Sequence, residues 1–314
     1  MIRTTLLLIA ALLALPVLAF YYDIPLDAPQ QEALRTAVAI MCVAALICFF
    51  TSEITSNYSQ VDKLWSLMPI LYTWYFSRES GFDDRLVLMA ILVTAWGLRL
   101  SANFARRDGY HPIPWKGEED YRWSVLRQHP VLGKRLPWML FNLFFISFYQ
   151  HTLILLFCLP ALVAWQGQGT PLNLIDIAAA VLMFLAISVE TLADQQQYEF
   201  QTEKHRRIRE GLPPEGDYAA GFCRSGLWAY VRHPNYVAEQ AIWLFYYLFG
   251  VAATGCWLNW SLAGVLLLML LFIGSSDFSE KISASKYPEY RDYQRRVPRF
   301  FPRLPFSKRS ETVK

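Results

Sequence analysis

The feature that most constrains this chain is a series of long apolar runs. A helix needs about 20 mainly apolar residues to cross a bilayer. Eight runs approach or exceed that length, over 4–20, 34–50, 64–76, 86–104, 136–165, 172–193, 236–253 and 260–274. They predict an all-α fold, a polytopic transmembrane bundle of about eight spans with a seven-helix core plus an N-terminal helix. The fifth run is long enough to tilt or to break near Pro160. The first follows Arg3 and so also has the outline of a signal peptide. It is read as a helix because it outruns a usual signal core and no clean A-x-A site follows. Composition agrees with this reading. Charged residues make up 18% of the chain and the mean hydropathy is +0.23, against about 25% charged in soluble domains. A disordered chain and a disulfide scaffold are excluded, and an ordinary soluble enzyme is disfavoured.

Basic residues are unevenly placed. Segments 105–135, 195–235 and 276–314 hold 23 of the 29 Lys and Arg residues. With eight spans and an internal N-terminus, all three segments fall on the cytoplasmic side, as the positive-inside rule requires. The opposite loops carry Arg78 and Arg85. The net charge of +3 is too small to indicate nucleic-acid binding. The five cysteines form no CxxC pair and the five histidines lack an i, i+4 pair, so neither a disulfide framework nor a metal site is expected. No G-x-G-x-x-G follows a strand pattern and no P-loop occurs. A nucleotide cofactor would have to be held by the bundle and its cytoplasmic loops, not by a Rossmann domain.

Ionisable groups inside or beside spans are costly and therefore informative. Arg99 interrupts the fourth run. It either snorkels to lipid phosphates or faces a cofactor phosphate. Glu190 and Asp194, i and i+4, share a helix face at the end of the sixth run. Read as a helix C-terminus, that position disfavours negative charge, so both carboxylates should have a partner, such as a ribose hydroxyl, an amide or an arginine. Gln60, Asp62 and Lys63 precede the third run, either as interface residues or with Asp62 facing the bundle. His151, in mid-run, reads as an interhelical hydrogen-bonding residue. The most specific stretch is Arg232-His-Pro-Asn-Tyr236, followed by Glu239. Pro234 suits a helix start, which puts Arg232 and His233 at a helix N-terminus suited to a phosphate or carboxylate. Asn235 and Glu239 then lie one turn apart. Glu280 directly follows the eighth run. The basic segment after it reads as an amphipathic helix with an extended Pro-rich end, suited to anionic lipid.

These residues resemble a family. Trp228 to Glu239, then Glu280, then Tyr287-Pro-x-Tyr-x-x-Tyr-x-x-x-Val-Pro-Arg-Phe-x-Pro, are similar to the C-terminal module shared by steroid 5-alpha-reductase-like membrane reductases and isoprenylcysteine carboxyl methyltransferases. Asn57-x-x-x-x-Asp62-x-x-Trp65, Trp96-Gly-x-Arg99-Leu, Glu118-Glu-Asp-x-Arg122-Trp and Glu190-x-x-x-Asp194-x-Gln196 resemble the bacterial branch of the reductase group. The resemblance runs from about residue 50 to residue 303. It implies a membrane-open helical bundle that binds NADPH from the cytoplasmic side and reduces a C=C bond conjugated to a carbonyl in a steroid-like or other lipid. It places Arg99, Glu190, Asp194, Asn235 and Glu239 around the cofactor, and the charged residues at the cytoplasmic mouth and helix start add Arg107, Arg232, His233, Tyr236 and Glu280 to that expected set. Three departures stand out: Glu190 occupies a family asparagine position, Trp96 a family tyrosine position, and Glu280 stands near a tyrosine of the animal enzymes. Indole cannot protonate an enolate, so the expected catalytic group is Asp62 as a protonated donor, with Gln60 and Tyr110 (or Tyr58) beside it.

The expected organisation is N-terminal transmembrane helices over 1–50, a reductase-like membrane domain over 51–303 and a polar tail over 304–314. The expected location is a bacterial inner membrane or the endoplasmic reticulum, with a lipid-like substrate, no nucleic acid, no protein partner and no metal. Two other readings use the same residues. One is S-adenosylmethionine-dependent methyl transfer to a lipid-linked acceptor; the other is a lipid-binding membrane protein without catalysis.

Overall fold

The computed structural model describes residues 10, 14, 17, 20, 21, 23–111, 113, 116, 117 and 119–302. The first expected span, the tail from 303 onward and Glu118 lie largely or wholly outside them. The described residues contain helices and no strand. In chain order the helices are α1 (Ala28–Thr55), α2 (Gln60–Trp65), α3 (Leu67–Glu79), α4 (Asp84–Ala105), α5 (Tyr121–Arg127), α6 (Arg135–Phe141), α7 (Gln150–Cys158), α8 (Pro160–Trp165), α9 (Leu174–Glu210), α10 (Asp217–Ala220), α11 (Pro234–Thr254), α12 (Leu262–Lys286) and α13 (Tyr290–Arg296). A π-helical segment, Asn142–Tyr149, joins α6 to α7, and a 3-10 turn spans Gly226–Ala229. Six helical stretches among the described residues are long and apolar enough to span a membrane: α1, α4, Arg135–Trp165, α9, α11 and α12. The protein is therefore a multi-pass helical membrane protein.

Local sequence explains the boundaries. Asp27 caps α1 by accepting from the Gln30 N–H at 2.8 Å, and the Gln30 side chain returns a bond to the Asp27 N–H. This is a capping box. Ser56 ends the helix in a left-handed conformation, φ 56°. The expected span at 64–76 is two short helices broken at Ser66. There Ser66 Oγ bonds Ser101 Oγ at 2.7 Å, and its carbonyl approaches Gly97 so closely that a Cβ would stand 2.6 Å away. Gly97→Ala is therefore expected to cost about 1–3 kcal/mol through overpacking, readable as a lower melting temperature in mild detergent. Pro160 breaks the fifth span as its sequence predicts, starting α8 at its first residue.

The described chain falls into two compact units. The first comprises Met1–Phe184 and Ile242–Leu271, the second Leu185–Ala241 and Phe272–Lys314. The core of the first is Arg135–Trp165, the most buried of the six candidate spans among the described residues. Phe157 packs on Trp243 with ring centroids 4.1 Å apart, and Trp243 meets Trp96 edge-on at 4.9 Å. Trp96 thus fills the core as an aromatic packing residue. One end of this unit carries a buried ion pair. Arg85 Nε and Nη2 meet the two Asp176 carboxylate oxygens at 2.8 and 3.0 Å. Thr170 Oγ1 and the Pro171 carbonyl accept further bonds from the guanidinium. The Asn173 N–H donates to Asp176. The sequence places Arg85 in a polar loop, yet its side chain is 1% exposed and that of Asp176 0%.

In the second unit, α9 continues well beyond the expected end near 193. Its last turns are charged, and pairs at i, i+3 and i, i+4 hold them, with Glu203 bonded to Arg206 at 2.7 Å and to Arg207 at 2.9 Å. Such pairs support a solvated helix. Glu190 and Asp194 consequently lie in a helix interior, and the dipole argument for their placement does not apply. They are buried all the same. Phe222, Tyr290 and Tyr293 form an aromatic core cluster in this unit.

Candidate functional site

Each unit carries its own polar cluster. In the first, the loop 56–59 and helix α2 are fastened to the segment 109–127. Asn57 Nδ2 donates to the Gly117 carbonyl at 2.9 Å, the Tyr58 N–H to Glu119 at 2.9 Å, and the Asp120 N–H to Ser59 Oγ at 2.9 Å. Glu119 pairs with Arg127, whose guanidinium also lies over the Tyr58 and Trp138 rings. Asp120 caps α5 and pairs with Arg122.

Asp62 sits half-buried in this acidic surround. Burial raises its carboxyl pKa from 3.8 to about 6; the Asp120 and Glu119 charges raise it too, while a hydrogen bond from Ser59 and the charge of Arg122 hold it down. A carboxyl raised in the folded state binds its proton more tightly there than when unfolded. Its stabilising effect is present at low pH and is lost as pH rises through about 6. Stability should thus fall between about pH 4 and about pH 6. Melting temperatures of the wild type and Asp62→Asn should be alike at the low end of that window and diverge toward its high end, the wild type falling, if Asp62 carries the effect.

The other expected catalytic residues are differently employed. Gln60 is buried, accepts from Lys63 Nζ at 3.0 Å and donates to the Asn57 carbonyl at 3.3 Å. Tyr110 donates its hydroxyl proton to the Lys63 carbonyl at 2.9 Å. Both brace α2 beneath Asp62. Burial, then the Glu53 charge, raise the Tyr58 pKa, which keeps that phenol protonated. Arg99 is half-buried on α4, and Arg107 is exposed beyond its C-terminus. The sequence reading missed Ser59 and Arg127; the Asp120 cap ahead of an apolar run was the available signal for α5.

The second unit brings together Glu190, Asp194, Arg232, His233, Asn235, Tyr236, Glu239 and Glu280. Asn235 Nδ2 donates to Asp194 Oδ1 at 3.2 Å, so the carboxylate does have an amide partner. Glu239 is buried one turn further along α11. Arg232 Nε and Nη2 bind the two Glu280 oxygens at 2.8 and 3.1 Å, and its Nη1 donates to the Gln294 and Val297 carbonyls. His233 Nε2 meets Glu280 Oε1 at 2.8 Å. Tyr236 stacks on His233, 5.2 Å between centroids and 14° between planes. The chain end is laid across this cluster: the Arg232 and His233 N–H groups donate to the Pro298 and Arg299 carbonyls. The anion expected at this helix start is therefore an internal carboxylate, Glu280.

A cleft of about 540 Å³ opens in the same unit. Its polar lining comes from Gln196, Glu199, Arg207, Glu215, Asp217 and Ser225, with Phe200 and Tyr218 among the aromatic walls. Gly226, at φ +59°, allows the chain to pass close to Gln196, whose Oε1 accepts from the Leu227 N–H at 2.9 Å. None of the cleft residues was expected from the sequence except through the neighbouring Gln196 of the Glu190 motif.

The DUF1295 family, described as proteins of unknown function, matches residues 48–297. This span includes both clusters and the cleft. The chain belongs to the DUF1295 family. A Schizosaccharomyces pombe (strain 972 / ATCC 24843) relative named "Uncharacterized protein C594.04c" is 38% identical over 261 residues, covering 80% of this chain and 74% of the yeast protein. No solved structure matches the chain. For DUF1295, then, the polar clusters are where an activity has to be sought, because neither description names a reaction.

Proposed function

We propose that this DUF1295 protein is an integral membrane oxidoreductase that uses NADPH to reduce a C=C bond conjugated to a carbonyl in a steroid-like or other lipid. The observation that carries this reading is the set of buried ionisable side chains in the second unit, Glu190, Asp194, Arg232, His233, Glu239 and Glu280. Buried charges are expensive and gather where function requires them. The motif resemblance supplies the reaction type. The carboxylates and Asn235 suit the ribose hydroxyls and carboxamide of a dinucleotide. Its phosphates are not suited to Arg232, whose donors are spent on Glu280 and main-chain carbonyls. When bound, the reduced nicotinamide would supply the hydride. Asp62 holds a proton for the developing enolate oxygen, and the core around Trp96 excludes water.

Asp62→Asn and Asp62→Ala are expected to lose at least about a hundredfold in turnover while keeping NADPH affinity. Wild-type turnover should decline above about pH 6, as Asp62 ionises. Unchanged rates in both variants would remove Asp62 from the mechanism.

One observation favours a second reading. The cleft carries three carboxylates (Glu199, Glu215, Asp217) against the single guanidinium of Arg207. That balance suits a phosphate-free cofactor of positive charge, as in methyl transfer from S-adenosylmethionine to a lipid-linked acceptor. Purified protein in detergent separates the two. Saturable enhancement of NADPH fluorescence without S-adenosylmethionine binding supports reduction, and the reverse supports methylation. Binding of neither supports a lipid-binding protein without catalysis.

A further inference from the structure

We propose that residues 121–136 of the first unit form an interfacial platform that binds anionic phospholipid at the bilayer surface. The inference rests on which side chains this segment hides and which it shows. Trp123, Leu126, Leu132 and Trp138 are buried and hold it to the unit. Trp123 meets Phe141 edge-on, with ring centroids 6.4 Å apart. On α5, Tyr121 and Val125 lie one turn apart and are both exposed. The knuckle that follows is a built turn. His129 Nδ1 accepts from the Val131 N–H at 3.3 Å and from the Leu132 N–H at 3.4 Å. The Gly133 N–H donates to the His129 carbonyl at 2.8 Å. A Cβ at Gly133 would stand 2.3 Å from the Arg127 carbonyl oxygen, so the turn closes only around glycine. It holds Val131 out at 50% exposure, shortly before Leu136 at 60%. Leu136, Leu140 and Phe144 follow at four-residue intervals in the span Arg135–Trp165, and all three are exposed. An exposed apolar row on a membrane span faces acyl chains. The apolar side chains of the platform thus lead into a surface that lipid covers.

Charge identifies the lipid. Segment 119–136 holds two carboxylates and four Lys or Arg residues. Glu119 pairs with Arg127 and Asp120 with Arg122. The other two cations, Lys134 and Arg135, are exposed. Neither side chain forms a hydrogen bond or an ion pair among the described residues. They stand where the platform passes into the span, beside Val131 and Leu136. Apolar side chains next to unpaired cations suit the depth at which acyl chains give way to phosphates. The former enter the acyl boundary and the latter take the headgroup charge. An acidic protein surface would satisfy the cations but would not continue the lipid-facing row.

The test is spin-label accessibility in the full-length protein. Val131→Cys is labelled in a Cys42→Ser, Cys256→Ser background, the other three cysteines being buried. The protein is placed in nanodiscs of phosphatidylcholine, with or without phosphatidylglycerol. Collisions of the label with a neutral, water-soluble nickel chelate should fall at least about threefold when phosphatidylglycerol is present. Lys134→Gln with Arg135→Gln should abolish that fall. A fall that survives in the double variant would overturn the role of the two cations and with it the proposal. Equal collision rates in the two lipids would overturn it in favour of a protein partner. Free glycerol phosphate added to the phosphatidylcholine discs separates a bilayer from a soluble phosphate. It should leave the collision rate unchanged, and protection equal to that of phosphatidylglycerol would overturn the lipid as occupant.

Discussion

Arg85→Leu is expected to destabilise the protein by about 3–5 kcal/mol, because it strands Asp176 as an uncompensated buried charge. The estimate follows from the completeness of the site. Both carboxylate oxygens face the guanidinium, and the other Arg85 donors reach Thr170 and Pro171. In a bundle, where lipid gives little hydrophobic drive for helix association, this contact ties the start of α4 to the start of α9. The check is reversible unfolding in mild detergent. Arg85→Leu and Asp176→Leu should each lower stability, and the double variant should recover much of the loss, since it leaves no lone charge. A double variant as unstable as the sum of the singles would mean that the two residues act independently.

Arg232→Ala should have the next largest effect, about 3 kcal/mol or more. It removes two charge-assisted bonds from Glu280 and the donor shared by the Gln294 and Val297 carbonyls. The segment after α13 should then come loose, and limited proteolysis should cut near residues 295–299 far faster than in the wild type. Arg232→Lys should recover only part of the loss, because an ammonium cannot form the forked contact. Equal cleavage rates in Arg232→Ala and the wild type would show that the chain end is held by other contacts.

Much of this architecture was legible in the sequence because membrane helices announce themselves by length and apolarity. Pro234 marked a helix start where the structure has it, Pro160 marked the place where the fifth run is interrupted, and the spacing of Asn235 and Glu239 gave their shared turn. The extension of α9 to Glu210 was hidden, since apolarity ends near 193 and only the Glu203, Arg206 and Arg207 spacing records the helix beyond it. The Arg85–Asp176 pair was hidden for a different reason. Its members are 91 positions apart, and nothing local distinguishes a loop arginine from a buried one. For the candidate site, the Arg-His-Pro stretch pointed to the right place and to the wrong partner. A helix start with two cationic side chains reads as a receptor for an outside anion, and only the fold reveals that Glu280, 47 residues from His233, fills it.

The way residues 294–299 are gripped bears on how this region can drift over time. Arg232 and His233 hold it mainly through main-chain oxygens, of Gln294, Val297, Pro298 and Arg299. Every amino acid offers the same oxygen, so side chains there can be exchanged at small cost to the grip. A single inserted or deleted residue between α13 and Pro298 would instead shift the whole register of acceptors at once. Related chains should accordingly vary in letters across this stretch but keep its length.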